Sequence, residues 1–92
     1  MIEVEVKVIG MFGAQFVTVA KKLQLKDGAR PKEALEELHK SGAIDAAVFN
    51  QIKSLKPPFL LVLNDQACET KPQATKLQDR DSMSVIQLMA GG

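Results

Sequence analysis

Apolar and polar residues alternate from the start of the chain. Ile2, Val4, Val6 and Val8 share one side, and Glu3, Glu5 and Lys7 share the other. A period of two predicts a strand with one buried face. Gly10 and Gly13 bracket a turn in this reading, because glycine accepts the positive φ of tight turns. Phe16 to Leu25 then predicts a second strand, with Val17, Val19, Leu23 and Leu25 on one face. Lys21 interrupts that face, which suggests a sheet edge or a bulge. The two strands together predict an antiparallel hairpin.

After an Asp27-Gly28 turn the period changes. Pro31 suits the first position of a helix, where its missing N–H is not needed. Ala34, Leu35 and Leu38 follow on one helical stripe. Glu36 and Lys40 stand in the favourable order for a surface pair, and Gly42 suits a helix end. Ile44, Val48, Ile52 and Leu55 predict a second helix over Ile44 to Leu55, closed by Pro57 and Pro58. Phe59 to Asn64 is apolar nearly throughout and predicts a central third strand. Asn64-Asp65 starts a turn, Ala67 to Glu69 predicts a short fourth strand, and a polar loop surrounds Pro72. Met83 to Met89 predicts the last strand. Strands, helices and strands in that order define an α+β roll rather than a βαβ array.

Size and composition narrow the function. A chain of 92 residues has room for one domain with a modest core, which favours chemistry on a tail or an edge over a deep pocket. The net charge is +1 with basic and acidic residues interspersed, so no basic stripe points to nucleic acid. The longest apolar run, Phe59 to Leu63, is too short to span a membrane. No leader is expected, since Met1 runs directly into the first strand. One cysteine, Cys68, forms neither a disulfide framework nor a zinc set, and a cytoplasmic location follows as the expectation. Cys68 reads as a small buried residue rather than a reactive thiol, because nothing beside it in sequence lowers its pKa. The lone His39 reads as a residue flanking a helix, not a metal ligand. Asp79 and Asp81 read as a solvated turn rather than a general acid and base. No phosphate-binding glycine loop is present.

The remaining feature is positional: the sequence closes Met89-Ala90-Gly91-Gly92. Two residues without Cβ atoms can thread a narrow channel, and Met89 to Gly92 extended reaches roughly 10–14 Å. A carboxylate there is a poor electrophile until it is adenylated. It can then accept sulfur and become a thiocarboxylate, a good nucleophile. The domain is therefore assigned to residues 1–89 and the tail to residues 90–92.

The opening Ile2-Glu3-Val4 strand, the Leu61-Val62-Leu63-Asn64 run, the Leu77-Gln78-Asp79-Arg80-Asp81 turn and the closing Ala90-Gly91-Gly92 together resemble the MoaD/ThiS family of ubiquitin-like sulfur carriers. The resemblance spans nearly the whole chain in element order. Arg80 stands where the family has glycine, and the segment from Ile44 to Pro58 is longer than in the shorter members. The resemblance implies a β-grasp fold: a mixed sheet of four to five strands on one main helix plus a second short helix. It implies a non-catalytic sulfur carrier that binds no cofactor. Gly92 would be adenylated by a ubiquitin-activating-type enzyme using ATP, then thiolated. In a MoaD-like role Ala90, Gly91 and Gly92 would enter the active site of the large subunit of molybdopterin synthase, and sulfur would pass to the dithiolene. Ile86 and Leu88, at the root of the tail, are candidate docking residues. The alternatives are a ThiS-like role in thiamin thiazole synthesis, a ubiquitin-like protein modifier, and an interaction module without such chemistry.

Overall fold

The computed structural model describes residues 1–56, 58–67 and 75–88. Its elements are β1 (Ile2–Phe12), β2 (Gln15–Leu25), α1 (Pro31–Lys40), α2 (Ala46–Ile52), β3 (Phe59–Leu63), β4 (Gln66–Ala67) and β5 (Ser82–Gln87). They form one five-stranded mixed sheet in the order β2-β1-β5-β3-β4 with two helices, an α+β arrangement. β1 pairs antiparallel with β2 and parallel with β5, and β3 pairs antiparallel with β5.

The β1–β2 hairpin turns at Gly13 and Ala14, so Phe12 faces Gln15. Gly13 has φ +66° at the first turn position, where a two-residue hairpin of this kind favours glycine. The expectation for Gly10 is corrected: it lies inside β1, not at the turn. The register from Ile2↔Leu25 to Phe12↔Gln15 is unbroken, so Lys21 marks an edge strand without a bulge. Val4, Val6 and Val8 are fully buried beneath Leu35 and Leu38 of α1 and Ile52 of α2. Fully burying side chains of this kind contributes about 1.5–3 kcal/mol each.

α1 begins at Pro31 and stops where Gly42 takes φ +84° and donates its N–H to the His39 carbonyl. Lys40 pairs with Glu37 (3.6 Å) rather than with Glu36, so the surface pair spans three residues instead of four. α2 is shorter than its periodicity suggests. Asp45 caps it by accepting the Val48 N–H (2.9 Å), which leaves Ile44 outside the helix, though still buried. At the other end Leu55 adopts φ +53°, and the helix stops at Ile52, ahead of the prolines.

The third strand is not central. β5 occupies the middle of the sheet, and β3 lies between β5 and the two-residue β4. A strand near the edge needs only one buried face. Phe59 and Leu61 are accordingly buried, while Leu60, Val62 and Leu63 are half-buried. The β3–β4 turn places both Asn64 (φ +51°) and Asp65 (φ +68°) in the left-handed region, as a type I′ pattern requires. Cys68 and Glu69 of the expected fourth strand, the Pro72 loop, Met89 and the tail lie outside the described residues.

Candidate functional site

The tail residues Ala90, Gly91 and Gly92 lie outside the described residues. The site is therefore built from the strand that carries them. β5 is gripped from both sides at its end. Toward β1, the Met11 N–H donates to Gln87 Oε1 (2.6 Å). Gly10 makes that approach feasible, since a Cβ there would stand 2.8 Å from the Cβ of Gln87. Toward β3, the Leu88 N–H donates to the Pro58 carbonyl (2.7 Å), one residue beyond the Phe59↔Gln87 pair. Behind this point Phe59 stacks on Phe12 with centroids 5.6 Å apart. The chain is thus held through Leu88, four residues before Gly92.

The two docking candidates differ in placement. Ile86 is half-buried on the sheet face opposite the helices, while its neighbours Met83 and Val85 face the core. Leu88 is 51% exposed. Around them lie residues that sequence reasoning did not assign to a site. Ile9 and Leu60 flank Ile86 directly on the two adjoining strands, forming an apolar row across β1, β5 and β3. Met11 (39% exposed) and Phe16 (61%) face each other across the hairpin beside that row. The signal for this patch was present at Ile9 and Met11. They continue the side of β1 that carries Glu3, Glu5 and Lys7, but they are apolar. Exposed apolar side chains grouped in this way suit contact with another protein.

The opposite end of β5 is fixed by polar contacts. Asp79 Oδ1 accepts the Glu3 N–H (2.8 Å), and the Arg80 N–H donates to the Glu3 carbonyl (2.7 Å). Asp81 accepts from the Gln78 N–H (2.7 Å) and from Asn64 Nδ2 (2.8 Å). Asn64 in turn accepts the Ser82 N–H on its side-chain oxygen (2.8 Å). Both carboxylates act as anchors for backbone and amide donors. The turn expected to be merely solvated therefore also ties the start of β5 to β1 and to the end of β3. Arg80 takes φ +70°, so it adopts the backbone conformation that glycine would favour there.

His39 stacks on Phe49 across the two helices, with ring centroids 4.8 Å apart. Among the described residues no three of His, Cys, Asp or Glu gather as a metal site, and no helix is long and apolar enough to cross a membrane.

This architecture is that of a small α+β protein with a five-stranded mixed sheet and two helices. It is similar to the solution structure of the HVO 2177 protein of Haloferax volcanii, with a TM-score of 0.60 and 22% sequence identity, covering 99% of this chain and 87% of that one. At this identity the likeness is one of fold. No protein-family model and no curated protein matches the chain.

Proposed function

We propose that this chain is a β-grasp sulfur carrier of the MoaD/ThiS kind, and that the α-carboxylate of Gly92 carries the sulfur toward molybdopterin. The observation that carries the reading is the grip on β5 at Gln87 and Leu88, followed in sequence by Met89-Ala90-Gly91-Gly92. A held strand beside an apolar patch gives a partner a rigid surface to bind. A tail without Cβ atoms at its tip gives that partner's active site something narrow to admit.

In this reading the carboxylate of Gly92 attacks the α-phosphate of ATP in a ubiquitin-activating-type enzyme and releases pyrophosphate. A sulfide-level donor then displaces AMP and leaves a thiocarboxylate. The thiocarboxylate sulfur attacks a carbon of the precursor held by the large subunit of molybdopterin synthase; the C–S bond forms as that carbon's bond to oxygen breaks and the oxygen leaves. Hydrolysis of the resulting acyl link returns the carboxylate. The carrier supplies the sulfur and its own terminus, and its partners supply the catalytic groups and the ATP site.

The test is mass spectrometry of the C-terminal peptide after incubation with the host's activating enzyme, ATP and a sulfur donor. Exchange of one carboxylate oxygen for sulfur at Gly92 is the expected result. An unchanged carboxylate, with a known carrier modified in parallel, would remove the proposal. Deleting Gly91 and Gly92 is expected to abolish transfer and leave the melting temperature unchanged, since a chain end beyond the last strand contributes little to stability.

A further inference from the structure

β2 has a strand neighbour on one side only. Its other edge offers the backbone N–H and C=O groups of alternate residues along an eleven-residue strand, and no described residue pairs with it. Below that edge, on the helix side of the sheet, runs a groove of ≈ 250 Å³ between β2 and the start of α2. Its apolar walls come from Val17 and Val19 on the strand and from Ala43, Ile44 and Val48 opposite. The next residue on the same face of β2 is Lys21, at the spacing of two that a strand imposes. Lys21 is exposed and makes no ion pair with any described residue. Among the described residues lining the groove, Asp45 is the only charged one.

We propose that the free edge of β2 and this groove bind an extended peptide of another protein as a sixth strand, with two apolar residues and one carboxylate at alternate positions on its groove-facing side. The backbone of the edge supplies the hydrogen bonds of strand addition, and alternate side chains supply the selectivity. The apolar pair fits over Val17 and Val19. The carboxylate fits at Lys21, and Asp45 repels it from the apolar end. A second copy of this chain is the poorer occupant. Lys21 and Lys22 stand near the middle of the edge, and lysine on an edge strand opposes self-pairing.

The experiment uses the full chain and two fluorescein-labelled peptides, Ser-Val-Ser-Val-Ser-Glu-Ser and its reverse, with a control in which Lys replaces Glu. Anisotropy titrations are expected to give saturable binding of one of the two, with an affinity in the range of about 1–100 µM. The direction that binds gives the orientation of the added strand. K21E is expected to weaken binding at least about tenfold, while K22E, the same charge change on the other face, stays within about twofold. Amides of β2 gain protection from hydrogen exchange on peptide addition. Far-UV circular dichroism of both variants establishes that they fold. Failure of both peptides to saturate, an equal loss in K21E and K22E, or a peptide-free dimer that already protects β2 would each overturn the proposal.

Discussion

Arg80 stands at a positive-φ position in the turn before the last strand, where the sulfur carriers the sequence resembles have glycine, and the structure gives that choice a cost. At φ +70° a side chain crowds its own backbone, whereas glycine does not. R80G is expected to raise unfolding stability by about 0.5–1 kcal/mol, the relief of strain being partly offset by the greater freedom of the unfolded chain. Urea titration of the two proteins measures this, and a loss of stability would mean that the Arg80 side chain contributes more than its backbone strain removes. The neighbouring residues teach a different lesson. Alternation at Ile2, Val4, Val6 and Val8 made the buried face of β1 readable, because period and burial are the same fact for a strand. The partnership of Asn64 with Asp81 was not readable from spacing, since the two residues are 17 apart and meet only when β5 lies beside β3.

At the scale of the described elements, the sequence located six closely and met the fourth strand at Ala67 alone, and limits moved where side chains compete with periodicity. α2 lost Ile44 because Asp45 caps the helix, and β1 gained Gly10 because a strand can use glycine where a neighbour comes close. The central position went to β5 rather than β3, although β3 is the more apolar run. Composition signals burial of a run but not which strands pair with it. Gly10 links these points to the site, since it lets Gln87 reach the Met11 N–H. G10A is expected to push the Cβ of Gln87 aside, destabilise the protein by about 1–3 kcal/mol and expose the Met11 amide to exchange. Hydrogen-exchange spectra that keep Met11 protected in G10A would show that Gln87 reaches the Met11 amide without the clearance Gly10 provides.

For the whole molecule, the two faces of the sheet divide the work. One face carries the helices and the core. The other carries the row Ile9, Ile86 and Leu60 with Leu88 beside it, and no described element covers it. In the proposed role, a partner would meet this apolar face at Leu88, the last described residue before the Gly-Gly end. Leu88 is the residue that tests the idea cleanly. It is half exposed and its structural contribution is a backbone hydrogen bond to Pro58, which a substitution keeps. L88D is expected to leave unfolding stability within about 0.5 kcal/mol. If the chain has the proposed sulfur-carrier role, placing a carboxylate in a desolvated contact should at the same time weaken binding to the proposed activating enzyme or acceptor subunit by about 10–100-fold. K53D, a larger charge change at an exposed position beside the helix end on the opposite side, should change that affinity little. Calorimetric titration of both variants against each partner decides the matter. An unaltered affinity for L88D with both partners would mean that recognition rests on the Gly-Gly tail alone, and that the apolar face of the sheet serves some other contact.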